Sequence, residues 1–515
     1  MARKKATRTA AKTPKRPARR RKPAAAPAKD APKLPDGEFL DTEQAIKFLK
    51  TTRPTFYRWL RTGRIKGVKA GRQWRFRRED IERFVNGREP EVRLGADIKP
   101  LLATLAERLK KVGGSLPSAS EDQPDLRAVA MTINLALTME ASDIHFEPYE
   151  KTAVLRLRVD GVLHKIADFD LRLMPALAER VKRMAACDVT ERRLPQDGRI
   201  MVSIEGAQLD LRVNVLPALM GEAVTMRVLR RDEALISLDR IHYAPADRER
   251  LIEALANPWG LVIVAGPTGC GKTTVLYACL RHLIRPAVKV MSVEDPVEYM
   301  IPGMVQVPLR HAEGMTFART VRAFLRADPD VMMVGEIRGR EDMELCQQAA
   351  LTGHLVMTTL HTDSAPATLK RMTDIGSPPF LVADSVKFIS AQRLVRCLCP
   401  ECSEPVTPSA NALSGAQDLV RTGGVNWDGL EMGFRKPVGC AKCGRTGYRG
   451  RTLVVEMMQV TPEIGAALRG GAGTDDLRRI AVEQGMTTMG ADGVRRAAAG
   501  ETTLEEVFRV LSVRW

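Results

Sequence analysis

The stretch LVIVAGPTGCGKTTVLYACL at 261–280 restricts what this 515-residue chain can fold into more than any other part of it. An apolar run, Leu261 to Ala265, reads as a buried strand, GPTGCGKT fits G-x-x-x-x-G-K-[ST], and a helical apolar pattern follows. A strand that stops at a glycine-rich turn, with a helix starting there, is the geometry in which backbone N–H groups converge on phosphate oxygens. Gly266, Gly269 and Gly271 permit that turn; Pro267, Thr268, Cys270 and Thr274 complete the expected nucleotide cradle. Lys272 would reach the β- and γ-phosphates, and the Thr273 hydroxyl would ligate Mg²⁺.

Three further apolar runs end in polar residues. VKVMSVEDPVEY (288–299) ends in Glu294, Asp295 and Glu298, DVMMVGEIR (330–338) in Glu336 and Arg338, and TGHLVMTTLHT (352–362) contributes His354 and His361. Short runs of this kind predict a parallel sheet covered on both faces, with its active-site loops at the strand ends. Taken singly, each carboxylate is equally well a helix cap or a solvated charge.

The order P-loop, acidic VEDPVEY box, VMMVGEIR and histidine box TGHLVMTTLHT resembles the secretion ATPase superfamily, in particular type II secretion and type IV pilus assembly ATPases. Upstream, ASDIHFEP (141–148), RLRVDG (156–161), PQDGR (195–199), LDLRV (209–213) and GEAVTMRVL (221–229) resemble the domain that precedes the core in those enzymes. The resemblance covers about residues 121–515. It implies a multidomain α/β protein: a RecA-like P-loop core (237–395) preceded by a PAS-like α+β domain (121–236). It also implies that Glu336 polarises the attacking water, that Glu294 assists at metal and water, and that His361 senses the γ-phosphate with His354 supporting the same loop. Arg212 and Arg227 would reach nucleotide across a subunit boundary of a homohexamer; a surface strand charge is the plainer reading of both. Two positions depart from the family's usual pattern: Cys270 stands where Ser is common, and Gly339 follows GEIR where Asp is common.

Cys399/Cys402 and Cys440/Cys443 form two C-x-x-C pairs separated by 37 residues. Paired thiolates on tight turns suit tetrahedral zinc, and a nucleotide-binding chain without a secretory signal is expected where disulfides are disfavoured. Four protein ligands leave no open position, so the zinc would be structural. Cys397 is a fifth nearby thiol and an alternative ligand, and reduced, metal-free cysteines are the other reading. LCPEC followed by GCAKCGRTGYRGR also resembles the tetracysteine pattern of the assembly ATPases, which retraction ATPases generally lack. The expected subdomain runs over 396–455, followed by a helical region at 456–515.

Charge sets the N-terminus apart. The formal net charge is +18, of which residues 1–35 carry +12, residues 36–88 carry +7 and the remaining 427 residues −1. Residues 1–35 are mostly Lys, Arg, Ala and Pro with a single Leu, a composition that predicts a disordered tail, either drawn to polyanions, DNA or an anionic membrane surface alike, or solubilising with no fixed partner. Residues 37–88 predict a helix capped at Asp41-Thr42, a second helix over 53–63, a hairpin around Ala70-Gly71 and a closing helix over 78–85. This arrangement resembles the excisionase or MerR-like winged helix-turn-helix. The resemblance places Arg53, Thr55, Tyr57, Arg58 and Arg61 on the groove-facing helix and Arg72, Gln73 and Arg75 on the wing, with Phe56, Trp59 and Trp74 in the core. Residues 89–120 read as a linker with a possible helix around 97–111.

The expectation is therefore a Mg²⁺- and ATP-dependent motor with structural Zn²⁺, peripheral on the cytoplasmic face of a bacterial membrane. It would drive a membrane platform protein that adds pilin or pseudopilin subunits. The alternatives are a DNA-associated ATPase or regulator that uses residues 37–88 and, less favoured by the zinc ligands, a pilus retraction motor.

Overall fold

The computed structural model describes residues 39–61, 65, 67–70, 73–85, 92, 94–116, 123–204, 207–230 and 237–512. The basic tail over 1–35 lies outside them, as does Arg72. The chain divides into two units, Met1–Arg93 and Leu94–Trp515.

In the first unit, β1 (Phe39–Asp41) leads into helices Thr42–Phe48 and Arg53–Arg61, then β2 (Val68–Ala70), β3 (Gln73–Arg77) and helix Arg78–Val85. Asp41 caps the first helix reciprocally: Gln44 N–H donates to Asp41 Oδ1 and Asp41 N–H to Gln44 Oε1, both at 2.8 Å. The core is Leu40, Ala45, Phe56, Ile65, Phe76 and Ile81, with Trp59 and Trp74 packed against it. Phe56 and Phe76 meet edge to face at 5.0 Å. β1 was not expected. Three residues are too few to show alternation, and the strand exists because it pairs with Arg75–Arg77 of β3, giving the sheet order β1-β3-β2.

The second unit begins inside the segment read as a linker. Helix Lys99–Val112 ends on Gly113 at φ +76° and buries Leu101, Leu105 and Leu109, so this part of 89–120 belongs to the body. Helix Pro124–Thr138 follows, then β4 (Ala141–Pro148), β5 (Ala153–Val159), β6 (Val162–Phe169), helix Met174–Met184, β7 (Gln196–Ile204), β8 (Ala207–Ala218) and β9 (Gly221–Arg230). These strands form one antiparallel sheet, β6-β5-β4-β9-β8-β7. Alternation on β5 buries Ala153, Leu155 and Leu157 and turns Arg156 and Arg158 to the other face.

The core sheet contains β10 (Gly260–Ala265), β11 (Val290–Glu294), β12 (Val305–Pro308), β13 (Val331–Val334), β14 (Leu355–Leu360), β15 (Val386–Leu398) and, after the short insertion strands β16 (Glu404–Pro405) and β17 (Arg435–Lys436), β18 (Tyr448–Gln459). Its order is β12-β11-β13-β14-β10-β15-β18. All neighbours are parallel except β15 and β18. Every residue of β10, β11, β13 and β14 is buried, as a parallel sheet covered on both faces requires. β15 and β18 cross the boundaries drawn from sequence at 395 and 455: both are core strands, and the cysteine-bearing segment is an insertion between them. Helices Met489–Ala498 and Leu504–Leu511 bury Val494, Ala497, Leu504, Val507 and Phe508 against Ala412, Ala416 and Val420 of that insertion.

Candidate active site and tetracysteine cluster

β10 stops at Ala265, and helix Lys272–Leu283 starts at the far side of the glycine-rich turn. Gly266, Gly269 and Gly271 have φ of +147°, +79° and +85°. A Cβ at Gly266 would lie 2.5 Å from Cys270 Sγ and 2.6 Å from the Gln392 carbonyl oxygen, so only glycine fits. The cradle is thus backbone, and Cys270, buried inside it, contributes its carbonyl to Gln392 Nε2 at 2.7 Å rather than a side-chain ligand. Lys272 Nζ donates to the carbonyls of Gly266 at 2.8 Å and Pro267 at 3.0 Å. Burial draws its ammonium below the usual lysine range, against the opposing pull of Cys270 and Glu336. This donor set fits a nucleotide's phosphates, with Thr273 and Thr274 at the start of the helix.

Sheet order brings the other polar strand ends together. β13 lies between β11 and β14, so Glu336 falls between Asp295 and His361. Arg338 Nε donates to Glu336 Oε1 at 2.6 Å, and its Nη2 to Asp295 Oδ2 at 2.8 Å. His361 Nε2 stands 3.3 Å from Glu336 Oε2, and His311 Nε2 stands 2.8 Å from Asp295 Oδ2. Burial pushes both carboxylates up, but the hydrogen bonds from Arg338 and the histidines outweigh it and hold Glu336 and Asp295 below the usual range. The result is a continuous row His311–Asp295–Arg338–Glu336–His361 across the ends of three strands.

Glu294 occupies a different place. It is 3% exposed. One oxygen accepts the Tyr277 hydroxyl, and the other accepts Ser292 Oγ at 2.5 Å and Gln306 Nε2 at 3.1 Å. His354 does not share the loop of His361. The whole of β14 separates them, and His354 Nδ1 lies 3.0 Å from the Ala349 carbonyl at the strand's opposite end. Arg212, on β8, donates from Nη1 to Glu298 Oε1 at 3.1 Å and from Nη2 to the Val297 carbonyl at 3.4 Å, inside the acidic box. Arg227, on β9, donates to Asp143 Oδ1 at 3.2 Å within its own sheet.

Sequence reading missed Gln392, Tyr277, Ser292 and Gln306, and it missed that Arg338 bridges Asp295 to Glu336. The one available signal for the first was a Gln-Arg pair inside the mostly apolar run FISAQRLV.

Among the described residues one group can hold a metal ion: the Sγ atoms of Cys399, Cys402, Cys440 and Cys443 all lie within 4.8 Å of one another. The separations Cys399–Cys440, Cys402–Cys443 and Cys440–Cys443 are 3.9, 3.8 and 3.8 Å. A tetrahedron with zinc–sulfur bonds of about 2.3 Å has edges of about 3.8 Å. Backbone N–H groups of Gly439, Cys440 and Gly447 point at Cys402 and Cys443 sulfurs at 3.2–3.3 Å. Burial pushes Cys443 up, but the N–H donors of Cys440 and Gly447, with the Cys402 and Cys440 side chains, outweigh it and bring the thiol down to about 6, while burial pushes the neighbouring Cys399 thiol up to about 11. One thiolate so stabilised, among four sulfurs at tetrahedral spacing, fits a zinc ligand set. Cys397 is not in the group; burial pushes its thiol up to about 11.

On the first unit, Arg53 pairs with Glu43 at 2.7 Å and Thr55 Oγ1 lies 3.0 Å from Thr52 Oγ1. Tyr57 and Arg58 are exposed along the same helix, Arg61 is its last residue, and Arg75 donates to Gln73 Oε1 at 3.1 Å.

The family model of type II/IV secretion system proteins matches residues 118–509, and that of a helix-turn-helix domain matches residues 39–89. The chain is similar to type II secretion system protein E of Aeromonas hydrophila, 40% identical over 408 residues that are 79% of each chain. It is also similar to the type IV pilus assembly ATPase PilB of Myxococcus xanthus, 38% identical over 84% of this chain and 75% of that one. Among solved structures, the Legionella pneumophila ATPase DotB shares the fold, with a TM-score of 0.55 at 20% identity over 75% of this chain and 95% of that one.

Proposed function

This chain belongs to the type II/IV secretion system protein family and is an ATP-hydrolysing member of it, and we propose that it powers assembly of a type IV pilus or a type II secretion pseudopilus. The observation that carries the reading is the row of charges at the ends of β11, β13 and β14 beside a glycine-only phosphate cradle. Lys272 would bind the β- and γ-phosphates and Thr273 the Mg²⁺, which supplies charge neutralisation at the transferring phosphoryl group. Glu336 orients the attacking water, with His361 and Arg338 fixing its carboxylate; Glu294 would assist at the metal and water. Arg212 and Arg227, from a sheet domain that we read as PAS-like, supply cations whose position depends on that domain, and a homohexamer would let them act on a neighbour's nucleotide. Cys399, Cys402, Cys440 and Cys443 would hold Zn²⁺ as a closed structural site. Among the described residues no helix is long and apolar enough to cross a membrane, and we place the motor peripherally, on the cytoplasmic face against a platform protein of the inner membrane. The test is a strain carrying Lys272→Ala, scored for surface pili and for secreted proteins. Loss of either identifies the machine, and wild-type levels of both would refute the reading.

A second reading applies to residues 39–89, where the helix-turn-helix match and the exposed Tyr57 and Arg58 favour DNA as a partner. It predicts that the full chain retains preference for one duplex in a mobility-shift titration at moderate salt, and that Arg53→Ala with Arg58→Ala removes it. Binding with a linear log–log salt slope and no preference would mean a polyanion contact alone.

A further inference from the structure

Nothing in the P-loop signature calls for a tyrosine five residues beyond its lysine, yet Tyr277 is fully buried at that point of the nucleotide-binding helix. Its hydroxyl donates to Glu294 and accepts the Glu298 N–H at 3.2 Å. A phenol has one proton to give and lone pairs to receive, and here both capacities are used. Burial and the adjacent Glu294 raise its pKa well above the ordinary tyrosine value, so it remains a donor throughout the neutral range. The ring itself packs edge to face on Tyr299 at 6.1 Å, a contact that phenylalanine would preserve. The hydroxyl hydrogen-bonds the helix to both Glu294 and Glu298 of the acidic box, and Glu298, at the other end of that box segment, is the residue that Arg212 of the preceding domain engages.

We propose that Tyr277 is a positioning residue of the hydrolytic site: it holds Glu294 to the nucleotide-binding helix and joins both to the segment gripped by Arg212. Movement of the β8 strand against the core is thereby transmitted to Glu294 through Glu298 and one hydroxyl. This rests on the reading of the P-loop and Glu336 as the hydrolytic site.

The test compares Tyr277→Phe, Glu294→Gln and the double variant in the full chain, with Lys272→Ala alongside. Tyr277→Phe is expected to lower kcat for ATP about tenfold, the loss of one hydrogen bond to a charged group, while the KM for ATP and the Kd of a fluorescent ATP analogue stay at wild-type values. The double variant is expected to turn over no more slowly than Glu294→Gln, because the hydroxyl acts through that carboxylate. Wild-type kcat in Tyr277→Phe, a parallel rise in KM and Kd, or additive losses in the double variant would each overturn the assignment. Lost turnover in Lys272→Ala with wild-type kcat in Tyr277→Phe would overturn the tyrosine's role alone. Undiminished turnover in Lys272→Ala would overturn the site and this inference with it.

Discussion

The tetracysteine cluster and the proposed hydrolytic site are both made from loops at strand ends, but they are assembled on different scales. All four sulfurs lie between Cys399 and Cys443, on two turns of one insertion, and their spacing already matches a metal tetrahedron. The hydrolytic site draws on Arg212 of one sheet, on four neighbouring strands of another, and on Gln392 behind the cradle. A site that only holds can be local and closed. A site proposed to couple hydrolysis to movement would take parts from more than one domain, and the Arg212 contact with the acidic box joins two of them.

This contrast can be broken in four ways. The largest effect is expected at the cradle and at Glu336, the carboxylate proposed to orient water: Lys272→Ala and Glu336→Gln should each reduce steady-state ATP turnover by about 100-fold or more. Substantial turnover in either would mean that the dispersed residues are not one site. Next, Cys440→Ser, or treatment with a strong chelator, should take metal analysis from one zinc per chain to none and expose 399–447 to proteolysis, because a structural zinc contributes folding free energy outright. If the site is closed and local, turnover falls less than in Lys272→Ala; equal loss would show that the two sites are coupled.

Third, Arg212→Ala should lower turnover about tenfold and leave ATP binding unchanged, as expected for a cation supplied to the reaction from a separate domain. Weaker ATP binding would place the arginine in simple nucleotide affinity. The smallest effect concerns pH. Asp295 and Glu336 are held below the ordinary carboxylate range, so their contacts with Arg338 stabilise the fold above that range, and the contribution is lost as pH falls through the depressed values. The melting-temperature gap between wild type and Asp295→Asn should close on acidification below about pH 4. It should reflect less than about 1 kcal/mol, because the Arg338 side chain is 48% exposed and solvent screens the pair.

Legibility in the sequence followed the range of each interaction. The strand–loop–helix around Lys272, the capping box at Asp41 and the cysteine pairs are contacts among residues a few positions apart, and each showed as a motif. Boundaries failed where burial depended on a distant partner. Helix Lys99–Val112 shares its segment with a linker-like composition, and only packing against the body makes it part of a domain. β15 and β18 run past the expected edges of the core because each satisfies the other's backbone groups over a long antiparallel ladder. His354 and His361 sit in one eleven-residue motif, yet the rise of an extended strand carries them to opposite ends of β14.

By itself, then, the sequence determined that this chain builds a phosphate cradle on a parallel sheet, carries two C-x-x-C turns, and concentrates its positive charge ahead of residue 89, since each depends on local geometry or composition. Tertiary structure alone decided which carboxylate meets which base. Glu336 and Asp295 share Arg338 because β13 lies beside β11; Glu294, one residue from Asp295, turns instead into a buried nest of Tyr277, Ser292 and Gln306. Successive side chains at a strand end point to opposite faces, so one step along the chain separates an open site from a closed one, and only the packing of the neighbouring strands and helices says which is which.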